Sequence, residues 1–262
     1  MSIDRLCVAD LHLHTNLSAC APNSTTIYSY LEHCESEGIK KIGISNHFYE
    51  DKGIDHILKI QNDIQSLQKS SKAQVLMGCE AEVYYDKEPT LKKEEARQFD
   101  YVLLAPSHIF NQLHRYKNFD LSDVDKIRRL IIENFKQACY QDLGAPTAIC
   151  HPLYPIGAPN QQEILDGMTD ELLEECFKLA AKHNKSIEIH ACLYRDTVTL
   201  DEEGLSPSYI RMLSIAKKCG CKFHFGSDAH RSEDFINKHQ LLERAAKRAG
   251  ICKDDLWHLA KI

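Results

Sequence analysis

Hydrophobic strand-like runs alternate along this chain with segments of helical periodicity. Seven short runs rich in Val, Ile, Leu and Phe have the length of buried strands: 9–14, 42–47, 75–80, 102–108, 148–151, 187–190 and 225–230. Between them, apolar residues recur every three to four positions over about 26–37, 54–69, 121–143, 170–184, 207–219 and 233–250, and more weakly over 88–98. This repeated order of strand and helix predicts an α/β protein with parallel strands.

Local signals support several of these boundaries. Gly38 follows the first helical segment, and Ser206-Pro207 provides a cap residue before a proline at the first helical position. Asp170 opens another segment with an acidic residue in its first turn. The stretch 152–168 is rich in Pro and Gly, so we interpret it as a long loop of the kind that often covers a site.

Each strand-like run ends on a histidine, a carboxylate or both. The endings are ADLHLH, IGISNH, VLMGCE, VLLAPSH, AICH, IEIH and FGSDAH. Burying these groups costs on the order of several kcal/mol unless something pairs with them, and a metal ion pairs with both types. The carboxyl ends of barrel strands converge on one mouth, whereas an open sheet spreads them along an edge. The pattern therefore favours a closed β/α barrel of about seven strands with a metal site at its mouth.

Composition restricts the class of protein further. A chain of 262 residues, with 43% hydrophobic and 27% charged residues, is expected to form one large domain over 1–262. No run approaches the roughly 18 apolar residues of a membrane helix, and the charged N-terminus lacks an export signal, so a cytoplasmic protein without a membrane partner is predicted. The eleven cysteines are scattered without a CxxC pair, which indicates reduced thiols. A net charge of −6 argues against a nucleic-acid partner, and the oligomeric state is left open.

Two residue pairs at opposite ends of the chain have the spacing of metal ligands. His12 and His14 are two apart in a strand, so they point to the same face and can hold one ion together, and Asp228 and His230 repeat the spacing. Glu80 can bridge two cations with its two oxygens; we prefer it to Glu82 because it comes first after the apolar run. His47, His108 and His151 follow the second, fourth and fifth runs.

In order along the chain, these motifs resemble those of the polymerase and histidinol phosphatase family, known as PHP. The matching motifs are HxH, SNH, GxE, SH, HP and GSDAH, and they extend from residue 10 to about 234. The resemblance implies a distorted seven-stranded (β/α)7 TIM-like barrel that binds two or three divalent metal ions, namely zinc, manganese or iron. It also implies a phosphoesterase, since family members include histidinol phosphatases.

The resemblance further implies a role for each ligand. His12, His14, Glu80 and Asp228 would surround one metal, and Glu80 would bridge to a second metal held by His108 and His151. His47 and His230 would contact a third. Cys20 stands where the family usually has His or Asp; as a thiolate ligand it would favour zinc over manganese, and a buried thiol is the alternative interpretation.

The segment IEIHACLYRD contains the candidate substrate contacts. Arg195 matches an arginine that binds substrate phosphate in histidinol phosphatases, and a guanidinium suits a phosphate because it binds bidentately. His190 stands where the family usually has asparagine, and it is either a substrate-facing or supporting residue or a structural one. Structural roles are predicted for the other histidines, and of these His224 is expected to point into the barrel beneath the site: His33, His56, His114, His183, His224, His239 and His258.

The expected reaction is hydrolysis of a small-molecule phosphomonoester by a metal-bound hydroxide, with histidinol phosphate as the best-matched substrate. His230 and His47 are both candidates for protonating the leaving group, and the sequence does not choose between them. Two alternatives stay open: a phosphodiesterase or exonuclease acting on short nucleotides, and a non-catalytic metal-binding regulatory protein.

Overall fold

The computed structural model describes residues 5–109, 111, 120–190 and 198–262. Its strands are β1 (Ala9–Leu13), β2 (Lys41–Ile44), β3 (Gln74–Glu82), β4 (Tyr101–Ala105), β5 (Thr147–Ile149), β6 (Ser186–His190) and β7 (Lys222–Gly226). The helices described are α1 (Ile27–Glu37), α2 (Asp55–Leu58), α3 (Gln61–Gln68), α4 (Lys93–Ala96), α5 (Val124–Tyr140), α6 (Gln161–Asp166), α7 (Asp170–Lys182), α8 (Pro207–Lys218), α9 (Ser232–Phe235) and α10 (Lys238–Arg248). Short 3-10 helices follow at Lys253–Asp255 and His258–Ala260.

The seven strands form one parallel sheet in the order β1 to β7. The sheet comes close to closing on itself, because Leu13 forms a bridge with Ala229 and the backbone N–H of His14 donates to the Ala229 carbonyl at 3.0 Å. This arrangement confirms the predicted distorted (β/α)7 TIM-like barrel. Within the described residues no helix is both long and apolar enough to span a membrane.

The structure divides two of the predicted helices and adds one. The segment 54–69 contains α2 and α3, and the segment 233–250 contains α9 and α10, with Asn237 between them at φ 66°. A residue in this left-handed conformation cannot continue a helix. The predicted loop 152–168 contains α6, and Thr169, whose side chain accepts from the Leu172 N–H, caps α7 ahead of Asp170.

Aromatic side chains fill the lower interior of the barrel, at the amino ends of the strands. The Tyr101 hydroxyl donates to the Leu11 carbonyl at 2.6 Å, and a Cβ added at Gly78 would lie 2.4 Å from the Tyr101 ring. Trp257 closes the bottom: its backbone N–H donates to the Phe223 carbonyl at 2.7 Å, and its ring centroid lies 6.2 Å from that of Tyr101. Because apolar groups occupy the bottom, polar groups inside the barrel are confined towards the mouth.

A buried carboxylate ties β1 to neighbouring elements. One oxygen of Asp10 accepts from the backbone N–H groups of His12 at 3.2 Å and Ser227 at 3.1 Å, and the other lies 2.9 Å from Nε2 of His239. Nδ1 of His239 lies 3.4 Å from a carboxylate oxygen of Glu37 on α1. The structural role predicted for His239 is therefore to bridge two buried carboxylates behind the mouth.

Every cysteine in the described part of the chain is a free thiol, as predicted. Most of them are buried, and only Cys20 and Cys252 among these are exposed.

Candidate metal centre

Four side-chain atoms from β1, β3 and the turn after β7 converge at the mouth. Nε2 of His12 lies 3.3 Å from a Glu80 oxygen and 3.4 Å from an Asp228 oxygen. Nε2 of His14 lies 3.3 Å and 3.1 Å from the same two oxygens. A tetrahedral ion with bonds of about 2.0–2.1 Å separates its ligands by about 3.3–3.4 Å. The four atoms thus already have the spacing of ligands around one ion.

The second oxygen of Glu80 faces other histidines. It lies 3.0 Å from Nε2 of His151 and 3.8 Å from Nε2 of His108. Although burial alone would raise it, His47 and His12 hold the pKa of the Glu80 carboxyl well below its usual range. An ionised carboxylate whose two oxygens face separate sets of histidines has the geometry of a bridge between two cations.

Carboxylates orient two of these rings. Nδ1 of His12 lies 2.7 Å from Glu188, and Nδ1 of His108 contacts Glu82. The carboxylate oxygens accept from Nδ1, so each ring is held with its Nε2 facing the Glu80 carboxylate. Glu82, the rival of Glu80 in the sequence, therefore supports His108, and it also accepts from the Asn111 amide at 2.8 Å.

Hydroxyl groups orient two other rings in the same way. The Ser107 hydroxyl donates to the His151 carbonyl at 2.8 Å, so it must accept from Nδ1 of His151 at 2.9 Å. The Ser18 hydroxyl donates to the side-chain oxygen of Asn46 at 3.0 Å and accepts from Nδ1 of His14, also at 3.0 Å. Both rings again direct Nε2 towards the Glu80 carboxylate, which Nε2 of His151 contacts at 3.0 Å and Nε2 of His14 approaches to 3.3 Å.

Three buried polar atoms at the centre have no hydrogen-bond partner among the described residues: Nε2 of His12, Nε2 of His14 and one oxygen of Glu80. Leaving such atoms unpaired is costly, and a cation would satisfy all three at once. Burial lowers the pKa of His12, but Glu188 and Glu80 raise it well above its usual value. The local field thus favours a positive charge at this point, and the residues present fit a divalent metal ion.

The outer part of the mouth contains a further set of histidines. Ring nitrogens of His14, His47 and His230 lie within 4.8 Å of one another, and the His14 ring stacks on the other two at centroid distances of 4.4 Å and 4.2 Å. Nδ1 of His47 lies 2.9 Å from a Glu80 oxygen, and Nδ1 of His230 donates to the Asp228 carbonyl at 2.9 Å. The structure therefore brings these predicted ligands to the same mouth as the others.

Cys20 lies beside this outer set. Burial would raise the pKa of its thiol, but hydrogen bonds with His230 and His47 lower it to about 6. Cys20 is exposed to the cavity, so the interpretation of a buried thiol is wrong.

Glu188 is a functional candidate that the sequence reasoning missed. Besides holding His12, its carboxylate accepts from the His151 backbone N–H at 2.5 Å, and the pKa of Glu188 falls to about 2 because His12 and His190 outweigh its burial. A Cβ at Gly226 would lie 1.9 Å from its Oε1, so the glycine makes room for it. The sequence signal that could have identified it is its position two residues before His190 in IEIH, because alternate residues of a strand point to the same face.

Replacing Glu188 with glutamine is expected to weaken metal affinity by about 10- to 100-fold, because an amide can present its NH2 group to Nδ1 of His12 and no longer secures the ring. Competition with a chelator measures this affinity. The matched control is Glu202→Gln, at an exposed position, which should leave the affinity unchanged. Equal affinities for the two variants would contradict a supporting role for Glu188.

The two predicted substrate contacts have different outcomes. His190 is buried, with Nε2 3.4 Å from Asp228 and 3.9 Å from Glu188, so it faces the cluster from the β6 side. Its contact with substrate stays a prediction. Arg195 lies outside the described residues. His224 points into the barrel below Glu188, as expected, with Nδ1 2.9 Å from the Ser186 hydroxyl.

A cavity of about 860 Å³ opens above the cluster. Its described lining includes His47, His108, His230, Tyr49 and Tyr84 together with carboxylates, and none of these described lining residues is Lys or Arg. The carboxylates are Glu50, Asp51, Glu82 and Asp228. The cavity is wide enough for a small molecule, and its rim carries both signs of charge, because Lys87 pairs with Glu50 beside Asp51.

Comparisons with known proteins agree with this geometry. The family model described as PHP domain matches residues 10–191. A protein of Caldicellulosiruptor saccharolyticus named "Probable phosphatase" is 27% identical over 228 residues, which cover 86% of this chain and 81% of that protein. The solved structure of histidinol phosphate phosphatase from Lactococcus lactis, in complex with zinc, L-histidinol and phosphate, is similar with a TM-score of 0.66 at 16% identity. That likeness covers 94% of this chain and 95% of the other, and it concerns the fold.

Proposed function

Because the chain belongs to the PHP family, we propose that it is a metal-dependent phosphoesterase that hydrolyses a small-molecule phosphomonoester. The observation that carries this proposal is the spacing of His12, His14, Glu80 and Asp228, at 3.1–3.4 Å, in a mouth that opens to a cavity. The relative named as a phosphatase supports the same class of reaction.

The described residues divide into two groups of ligands. His12, His14 and Asp228 would hold one ion, His108 and His151 would hold another, and Glu80 would contact both. When bound, divalent ions at such a site lower the pKa of water and offset negative charge on phosphoryl oxygens. Glu188 and Glu82 keep the rings of His12 and His108 in place, so little reorganisation is needed during the reaction.

Histidinol phosphate is the best-matched substrate. It combines a phosphate, which the metal cluster suits, with a protonated amine, which suits the Asp51 carboxylate at the cavity. The Lactococcus lactis protein with the similar fold was solved with L-histidinol and phosphate. Arg195 stays a proposed phosphate ligand.

Two alternatives have less support. A phosphodiesterase or exonuclease would bring a polyanion to a chain of net charge −6. A non-catalytic metal-binding protein would not need a cavity that opens directly onto the ligand cluster.

Removal of metal tests the proposal. Chelation is expected to abolish hydrolysis of p-nitrophenyl phosphate and of histidinol phosphate, because only the cluster offsets phosphoryl charge in the described mouth, and added zinc, manganese or iron should restore it. Release of p-nitrophenol and of inorganic phosphate measures the two rates. Faster cleavage of bis-p-nitrophenyl phosphate would favour the diesterase instead, and metal binding without turnover of any of these esters would contradict an enzyme.

A further inference from the structure

A second cavity lies at the floor of the barrel, where the strands begin, and we call it the floor cavity. It has a volume of about 670 Å³, and its described lining includes Thr147, which begins β5, Lys185, which directly precedes β6, and Lys222, which begins β7. Parallel strands begin at one end of a barrel and end at the other. A ligand in the floor cavity would therefore not meet a substrate bound at the mouth.

The charge of the floor cavity is opposite in sign to that of the whole chain. Its described lining contains three lysines, Lys185, Lys222 and Lys261, and one carboxylate, Asp142, whereas the chain carries a net charge of −6. Nζ of Lys93 lies 2.9 Å from Asp142, so this carboxylate already has a cation beside it. The floor cavity thus has an excess of positive charge, which attracts anions.

The three lysines of the floor cavity have no carboxylate partner among the described residues. Nζ of Lys185 donates to the Gln141 carbonyl and to the Thr147 hydroxyl, both at 2.5 Å. Nζ of Lys222 donates to the Asp254 carbonyl at 2.9 Å. These acceptors are neutral, and an ammonium group has three N–H donors, so both amines retain donors for a ligand.

The burial of Lys185 is a second observation that points to an anion. Only 6% of the residue is exposed, and this burial lowers the pKa of its amine. A buried cation among neutral acceptors is unfavourable, because they replace its hydration only in part. A negatively charged ligand in the floor cavity would offset that cost.

We propose that the floor cavity binds a small anion with two or more negative charges, held by Lys185, Lys222 and Lys261. The ligand would be a phosphate-bearing or polycarboxylate compound, because an ammonium group binds both kinds of oxygen as a point charge. His183 and His258 line the same cavity, and each ring can donate an N–H to the anion. The inference does not depend on the proposed function, since none of these residues belongs to the metal centre.

Protection of amines from acetylation tests the site at individual residues. The purified protein is treated briefly with N-hydroxysuccinimide acetate at constant ionic strength, with and without pyrophosphate or citrate, and acetylated lysines are located by peptide mapping. Saturating anion is expected to slow acetylation of Lys222 and Lys261 about 5-fold or more, and to leave Lys126, exposed in the first turn of α5, unchanged. Unchanged rates at all three lysines would overturn the proposal.

The same titration identifies the class of anion. Half-protection at a lower concentration of pyrophosphate than of citrate would assign phosphate chemistry to the ligand, and the reverse order would assign carboxylate chemistry. Protection by sodium chloride at equal ionic strength, to the same extent as by either anion, would mean that charge is only being screened and would overturn the site.

Lys222→Gln tests whether the lysines hold one anion together. Lys222 is exposed, so the fold should be retained, and the anion concentration that half-protects Lys261 is expected to rise about 5-fold or more. Lys126→Gln is the matched control: it removes the same charge from a residue that does not line the floor cavity, and it should leave that concentration unchanged. Equal concentrations in the two variants would contradict a shared site.

His12→Ala separates the floor cavity from the metal centre, where pyrophosphate would also bind. This variant loses a proposed metal ligand at the mouth and should show the same protection of Lys222 and Lys261. Loss of protection in His12→Ala would place the anion at the mouth and overturn the floor site. These measurements do not depend on turnover, so failure of the phosphatase assay is a separate outcome.

Discussion

Replacing Glu80 with glutamine is expected to lower kcat/KM for a phosphomonoester by about 1,000-fold or more. Its two oxygens face different histidines, at 2.9–3.3 Å on one side and 3.0 Å on the other, and an amide would retain only one oxygen. The amide also removes the negative charge that stabilises cations. Steady-state kinetics and the metal content of the purified variant, determined by elemental analysis, measure the two effects.

Glu82→Gln is the matched control for this change. Glu82 lies two residues further along β3, and its described contacts are to His108 and Asn111, so its replacement is expected to cost only about 10- to 100-fold. A larger loss in Glu82→Gln than in Glu80→Gln would mean that the bridging carboxylate has been assigned to the wrong residue.

Replacing His239 with alanine is expected to destabilise the protein by about 2–3 kcal/mol. The imidazole lies between the carboxylates of Asp10 and Glu37, 2.9 Å from one and 3.4 Å from the other, and it is fully buried. Without it, a buried oxygen of Asp10 loses its hydrogen-bond partner at Nε2, and Glu37 loses its contact with Nδ1. Unfolding in guanidinium chloride, followed by circular dichroism, gives the change in free energy of unfolding.

His33→Ala, on the partly exposed face of α1, provides the comparison and should change stability by less than about 0.5 kcal/mol. If the two variants unfold at the same denaturant concentration, the contacts of His239 with Asp10 and Glu37 contribute nothing measurable. Because Asp10 also accepts from the His12 and Ser227 backbones, the His239 variant should bind metal less tightly as well.

Periodicity predicted the strands, most helices and the barrel because the buried faces of β/α units leave a strong hydrophobic pattern. The residues at strand ends were predictable for the same reason, since a polar group directly after an apolar run must have a partner. Glu188 was missed because it lies in the middle of β6, between Ile187 and Ile189, and not at the strand end where the other polar residues are found. The breaks between α2 and α3 and between α9 and α10 depend on local backbone conformation, as at Asn237, which helical periodicity does not encode.

The hydrophobic pattern also does not predict the irregular register of β1. The pairing of β1 with β2 is irregular between Asp10 and Leu13. Asp10 points out towards His239, whereas His12, two residues later, points into the mouth. A strict period of two would place both side chains on one face. The irregularity therefore lets one short strand supply both a metal ligand and the carboxylate that supports it.

Trp257, the chain's only tryptophan, lies at the bottom of the barrel, 5% exposed, with its ring centroid 5.7 Å from that of His224 and 6.2 Å from that of Tyr101. Its fluorescence is therefore an intrinsic optical probe of a single location. Emission from this ring reports whether the floor of the barrel is intact. Unfolding that begins at the floor of the barrel would therefore appear as a change in the emission of a single side chain.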